Sequence, residues 1–332
     1  MAAGTIRLTP GMTENRNDAP RVTLGASDLA VSPLALGGNV FGWTADEAQS
    51  FAVLDAYLAG GGNFVDTADV YSAWVPGNTG GESETVIGAW LRSRGTRDDV
   101  VIATKAGMHP EASGLKAATI KRVAEQSLRR LGIERIDLFY THRDDLQTPV
   151  EEIVTALDEL VKEGKVREVA ASNIGADRLA ESLAFADREG LARYVAVQPH
   201  YNLVSRDTYE GEPAAVVAAN GLSAVPYYAL ASGFLTGKYR PGGAEVASAR
   251  AQGAARYLDQ PRGPLVLDAL DKVAAVHGVE PATVALAWLA ARPTVAAPIA
   301  SARTVDQLPP LLAAVGLRLS PEETALLDEA SA

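Results

Sequence analysis

Cysteine is absent from the 332-residue chain. That removes disulfides, thiolate-bound zinc or iron–sulfur centres and cysteine nucleophiles, and it leaves the redox compartment open. Apolar runs are short, none near the ~18 residues of a membrane-spanning helix, so no membrane partner is expected. Positive charge is in deficit. The 30 Lys and Arg against 41 Asp and Glu leave a net charge of −11, unfavourable for a nucleic-acid backbone or an anionic membrane. An anionic small molecule would need cations concentrated locally. Residues 1–20 have no apolar h-region and do not read as a secretory signal. Their polar composition predicts a disordered tail, and a cytoplasmic location is expected. Oligomeric state is not legible, for no heptad or distinctive apolar patch stands out.

What the chain has is alternation. A hairpin is expected over 21–31, turning at Gly25-Ala26-Ser27-Asp28. Strands are expected at 34–38, 63–67, 100–105, 137–141, 168–172, 195–198, 224–227 and 295–299. Helical periodicity separates them at 45–59, 83–93, 119–131, 149–162, 177–188 and 212–219, then at 265–277, 283–291, 305–314 and 321–328. Gly60-Gly61-Gly62 and Gly164 stand where two helices should stop. Thr148-Pro149 opens a helix with Glu151 and Glu152 in its first turn. Strand and helix in strict succession imply parallel pairing, and eight such units imply an α/β fold, a (β/α)8 TIM barrel. No Pro-, Gly- or Ser-rich linker divides residues 21–332, so one domain is expected there. An open doubly wound sheet is the structural rival, but G-x-G-x-x-G does not occur after the first strand.

A barrel carries its chemistry at the C-terminal ends of its strands. The second strand ends on Asp66, with Asp69 and Tyr71 beyond, and the third on Lys105. The fourth ends on His142, followed by Arg143, Asp144 and Asp145. The fifth ends on Ser172-Asn173, the sixth on Gln198 and the seventh on Tyr227. A lysine closing a buried strand needs a carboxylate partner, and Asp66 on the neighbouring strand supplies one. An ammonium beside the Tyr71 phenol favours the phenolate, so a pKa below about 10 is expected. Tyr71 then reads as a general acid, with His142 orienting or polarising a carbonyl oxygen. Each residue also has a plainer use: a structural ion pair, a satisfied histidine, a helix cap at Ser172-Asn173. Four suitable residues on three consecutive strand ends favour a joint role. His109, His200 and His277 are expected to be structural, as are Trp90 and Trp288.

In this arrangement the chain resembles the aldo-keto reductases, in particular the long-chain branch that includes the potassium-channel β-subunits. Asn-Phe-Val-Asp66-Thr-Ala-Asp-Val-Tyr71, Lys105 in Ile-Ala-Thr-Lys-Ala-Gly and His142 in Asp-Leu-Phe-Tyr-Thr-His-Arg are similar to that family's catalytic tetrad. The resemblance runs from about residue 21 to 328. It implies NADP(H) as cofactor, with contacts from Gly38, Asn39, Asp66, Ser172, Asn173 and Gln198. Tyr227 would stack on the nicotinamide. The segment 230–239, with Leu230, Ser232, Gly233, Leu235 and Lys238, would cover the pyrophosphate. Ser301, Arg303 and Gln307 would reach the adenosine 2′-phosphate. Three departures stand out: Tyr227-Tyr228-Ala229-Leu230 for Tyr-Ser-Pro-Leu, Pro309-Pro310-Leu311 for Glu-Glu-Asn, and Val169-Ala170-Ala171 for Ile-Gly-Val.

The resemblance implies reversible hydride transfer between nicotinamide and an aldehyde or ketone, without a metal. Tyr71 would be the acid or base, tuned by Lys105 and Asp66, while His142 aligns the substrate. Two alternatives stand beside it: a cofactor-binding regulatory subunit like the channel β-proteins, and a Schiff-base lyase using Lys105. Trp43, Trp74, Arg143 and Asp144 are the candidate substrate contacts. The tryptophans suit an aromatic body and Asp144 a sugar or other polyol; Asp144 and Asp145 equally suit a solvated turn.

Overall fold

A computed structural model of the chain describes residues 19–332, except 241, 243–245 and 247. The tail expected over 1–20 thus lies, for 1–18, outside the described residues.

The hairpin forms as expected, from β1 (Val22–Thr23) and β2 (Ala30–Val31), antiparallel. Its turn is closed by Leu24 N–H donating to the Leu29 carbonyl. The barrel strands follow: β3 (Ala35–Gly37), β4 (Phe64–Asp66) and β5 (Val101–Ala106). An unanticipated small hairpin, β6 (Met108–His109) and β7 (Ala112–Ser113), comes next. Then come β8 (Ile136–Thr141), β9 (Val166–Ser172), β10 (Tyr194–Gln198), β11 (Ser223–Ala224) and β12 (Ile299–Ala300). All eight barrel strands are parallel, in the order β11-β10-β9-β8-β5-β4-β3-β12. The sheet closes on itself: Val295 bridges Ala224, and Ile299 N–H donates to the Pro226 carbonyl.

The seam is where regular strand is shorter than expected. Pro226 and Pro298 stand in the expected spans 224–227 and 295–299 and have no N–H to give a ladder. Pairing there falls to single bonds, among them Tyr227 N–H to the Pro199 carbonyl.

Helices α1 (Glu47–Ala59), α2 (Glu82–Arg94), α3 (Ala117–Leu131), α4 (Val150–Lys162), α5 (Ala176–Glu189) and α6 (Glu212–Ala219) match the expected periodic stretches closely. After them come a short α7 (Ala251–Ala255), not anticipated, then α8 (Arg262–His277) and α9 (Pro281–Ala290). The stretch expected as one helix over 305–314 is a 3-10 turn (Val305–Gln307) running into α10 (Leu308–Ala313), and α11 (Pro321–Ala330) closes the chain. Pro309 and Pro310 fit α10 because the first turn has no intrahelical use for their missing donors. At the end of α4, Gly164 adopts φ +73°, the left-handed stop that only glycine takes without cost.

Two apolar layers result. One lies between the strands and the helices and includes Trp90 and Trp288, both fully buried. Their indole N–H groups donate to Asp55 and Asp328, which satisfies their only polar atoms. The other fills the barrel with Phe64, Ala103, Leu138, Tyr140, Ala170 and Ala196, and the hairpin's Leu24, Leu29 and Val31 seal its lower end. Of the departing triplet, Ala170 faces this interior while Val169 and Ala171 face the helices. No single helix among the described residues is long and apolar enough to cross a membrane.

Candidate active site

The two-residue period of a strand decides what meets at the open end. Phe64, Ala103, Leu138, Ala170 and Ala196 point into the barrel. Two residues further along, on the same face, are Asp66, Lys105, Tyr140, Ser172 and Gln198, and His142 follows Tyr140 by the same step. Five strands thereby deliver polar groups to one place.

They form a network. Lys105 is fully buried and its ammonium donates to Asp66 Oδ1 at 2.6 Å, to the Thr67 carbonyl at 2.7 Å and to the Tyr71 hydroxyl at 2.9 Å. All three of its protons are used. The Tyr71 hydroxyl donates to Asp66 Oδ1 at 3.3 Å, and Gln198 Nε2 donates to Asp66 Oδ2 at 2.8 Å. The His142 ring lies 6.0 Å from the Tyr71 ring, centroid to centroid. Burial, with Lys105 and Arg143 adding to it, holds the His142 pKa well below its ordinary value, so the imidazole is neutral. A neutral imidazole can still donate one hydrogen bond.

The phenol of Tyr71 departs from expectation. Burial and the carboxylate of Asp66 hold its pKa well above 10, where the Lys105 ammonium alone would have lowered it. Sequence spacing brings both the ammonium and the carboxylate into view but not the burial, nor the bond from the phenol to Asp66, that decide the sign.

These groups open onto a cavity of about 810 Å3 at the C-terminal ends of the strands. Asp66, Tyr71, His142, Ser172, Asn173, Gln198 and Tyr227 line it. So do Asn39, Leu230, Ser232, Gly233, Lys238, Ser301, Arg303 and Gln307. Asn39 Oδ1 accepts from Ser301 Oγ across the β3–β12 junction, and the Gln307 side chain accepts from the Arg303 backbone N–H. Ser172 and Asn173 do not cap α5, whose cap is Gly175 without a side-chain bond. Instead Ser172 Oγ donates to the Gln198 carbonyl, and Asn173 Nδ2 donates to the His142 carbonyl. Asn173 Oδ1 accepts from the Tyr227 hydroxyl at 2.7 Å.

Three expected contacts lie elsewhere. Gly38 sits behind the wall, its N–H donating to the Asp66 carbonyl and its own carbonyl accepting from Ser83 Oγ. Leu235 is wholly buried in the core. Asp144 turns away onto the Arg178 guanidinium, with contacts of 3.0–3.3 Å, so the polyol reading loses its acceptor. Asp145 is likewise spent on Leu115 N–H, Gln147 N–H and Thr148 Oγ1, a turn as the plainer reading had it. Trp43, Trp74 and Arg143 do reach the cavity, and the two indoles meet edge to face at 5.5 Å. The loop after Tyr227 is unusual, with positive φ at Tyr228 (53°), Ala231 (48°), Ser232 (58°) and Gly233 (91°). Asn202 Nδ2, bonded to the Tyr228 carbonyl, helps hold it.

Sequence reading missed Arg250, Tyr228 and Met108 on this wall. Arg250 lies over the Trp43 ring at 5.6 Å. No strand end or motif marks it, because it arrives on the long connection after β11.

Asp69, just beyond β4, is also buried, with neither carboxyl oxygen bonded to a protein group among the described residues. Burial, with Glu84 adding to it, pushes its pKa up to about 8 from 3.8. The folded state therefore retains a proton that the unfolded state loses, and this group's contribution to stability falls as pH rises from about 4 to 8. Asp69→Asn should gain stability relative to the parent across that window. Urea unfolding at several pH values checks it; parallel curves would contradict the buried acid.

An eight-stranded parallel α/β barrel with a cavity at the C-terminal ends of its strands defines the architectural class. The chain belongs to the aldo/keto reductase family, whose model matches residues 33–332. It is similar to an uncharacterized oxidoreductase of Bacillus subtilis, 34% identical over 92% of this chain and 94% of the relative. A probable voltage-gated potassium channel subunit beta of Oryza sativa is 35% identical over 86% and 88%. The norsolorinic acid reductase of Emericella nidulans is 32% identical over 91% and 79%. These relationships support an oxidoreductase.

Proposed function

We propose that the protein is an NADPH-dependent reductase of aldehydes or ketones, working in reverse as an alcohol dehydrogenase. The observation that carries this reading is a buried Asp66–Lys105–Tyr71 network opening on a cavity that also holds, apart from Arg143, a group of three cations without carboxylate partners among the described residues. Those cations are Lys238, Arg250 and Arg303. All three line the one cavity, and after burial Arg303 and Arg250 both depress the Lys238 pKa and Arg303 that of Arg250. Mutually repelling cations in a protein of net charge −11 fit a polyanion such as a dinucleotide with a 2′-phosphate.

The nicotinamide cofactor, when bound, supplies the hydride. This chain's residues do the rest. Tyr71, protonated at neutral pH, donates its hydroxyl proton to the carbonyl oxygen. Lys105 and Asp66 hold that hydroxyl in place, and the neutral His142 imidazole donates to the same oxygen. Ser172, Asn173 and Gln198 would hold the carboxamide and Tyr227 would face the ring. The Schiff-base alternative loses its nucleophile, because Lys105 is fully buried and its ammonium is triply bonded. The regulatory-subunit reading, suggested by the plant relatives, predicts no NADPH consumption with an activated aldehyde such as 4-nitrobenzaldehyde.

Cofactor choice tests the cation cluster. Arg303 has no ion pair with Asp306, which leaves its guanidinium to the cavity. A charge-assisted contact is worth about 1.5–3 kcal/mol. Arg303→Ala should weaken NADPH binding by about one to two powers of ten and leave NADH nearly unchanged, as read by fluorescence titration. Equal losses for both cofactors would contradict a role at the 2′-phosphate.

A further inference from the structure

Four cations border the cavity, and three of them, Lys238, Arg250 and Arg303, form one group. Arg143 is the fourth. It follows His142 directly, whose ring lies against Tyr71, and it lines the same cavity; its charge is felt at His142 and at the Tyr227 phenol, while Lys238 and Arg303 act within the cation cluster and Arg250 acts on both that cluster and Tyr71. It therefore stands at the reacting end of the cavity.

The acids beside it in sequence are both committed elsewhere. Asp144 forms the ion pair with Arg178, and Asp145 accepts two backbone N–H groups and the Thr148 hydroxyl. Among the described residues no carboxylate pairs with Arg143, although the protein as a whole carries an excess of acid. The walls nearby are apolar and open. Trp74 and Tyr228, both cavity-lining, are 49% and 44% exposed, and Trp43 and Met108 continue the surface. Large aromatic faces held open at a cavity mouth mark a binding surface.

We propose that Arg143 is an anion subsite and that the preferred substrates are carbonyl compounds carrying a carboxylate across an apolar, ring-sized body. The carbonyl would lie at Tyr71 and His142, the body against Trp43 and Trp74, and the carboxylate on the guanidinium, which suits it as a two-pronged donor. This rests on the reductase reading above and adds to it the charge of the substrate.

The test is a matched series: 2-, 3- and 4-carboxybenzaldehyde and their methyl esters, assayed with NADPH on the parent protein and on Arg143→Gln. In the parent, at least one acid should exceed its ester in kcat/KM by about tenfold. That is the lower end for a charge-assisted contact, because Arg143 is solvent-exposed. The preference should reside in KM and disappear in Arg143→Gln. Three results would overturn the subsite: esters turned over as well as every acid, an acid preference that survives Arg143→Gln, or a variant that weakens NADPH binding while keeping the acid-to-ester ratio. No NADPH oxidation with any of the six aldehydes would instead sink the reductase reading, and this inference with it.

Discussion

Tyr71→Phe should lower carbonyl reduction by about two to four orders of magnitude, the usual worth of a positioned general acid, while NADPH binding stays close to that of the parent. The separation follows from geometry. The substitution removes one oxygen, the one that accepts from Lys105 and donates to Asp66, and leaves the ring against Trp74 in place. Lys105 keeps its bonds to Asp66 and the Thr67 carbonyl, so no buried charge is orphaned. Single-turnover reduction of an activated aldehyde measures the chemical step, and fluorescence titration measures binding. Because burial and Asp66 hold the phenol protonated well past neutrality, reduction by the parent should not lose its acid between pH 6 and 9. Alcohol oxidation, which needs the phenolate, should still be rising at the alkaline end. Normal turnover by Tyr71→Phe would show that the proton comes from elsewhere.

Lys105→Met should be the most damaging single change for the fold. Its ammonium is the ion-pair partner of Asp66, and the two are 0% and 1% exposed. Removing one partner of a buried pair typically costs about 3–5 kcal/mol, because the other charge is left without compensation. The loss should depend on pH in a definite direction. In the variant the unpaired Asp66 carboxyl has a raised folded-state pKa, so it holds a proton that the unfolded chain releases near its ordinary carboxylate pKa. Stability is then retained in acid and lost as pH rises. Urea unfolding at pH 5 and pH 8 should show the larger deficit at pH 8. Adding Asp66→Asn should recover part of it, since the double variant leaves no unpaired charge at that position. A deficit independent of pH, with no recovery in the double variant, would mean that the cost is lost packing.

The reading of Tyr71 shows where one dimension is insufficient. Residue order places Lys105, Asp66 and Tyr71 on adjacent strand ends and so brings them within reach of one another. The sign of the phenol's pKa shift depends on burial and on whether Asp66 or Lys105 dominates, and both are set by how neighbouring strands pack. Arg250 illustrates the same gap. It comes to the cavity on a connection with no periodic signal, and only the folded structure shows it on the cavity wall over Trp43. Asp144 errs in the other direction: its position beside His142 suggests a substrate contact, but α5 presents Arg178 and takes its carboxylate.

Taken alone, the sequence determined the barrel and the content of its open end. Helical and strand periods alternate along the chain, and a parallel barrel converts that alternation directly into architecture. Because side chains on a strand alternate faces, Asp66, Lys105, His142, Ser172 and Gln198 had to share the interior once the strands paired in register. Only the tertiary structure decided which of the polar residues at that end face the cavity, which are consumed by partners from other elements, and which remain unpaired. Partner choice depends on distances between segments far apart in the chain, as with Asp144 and Arg178 or Asn39 and Ser301. Burial, which sets the protonation of Tyr71, His142 and Asp69, is a property of the packed whole and is not encoded at any one position.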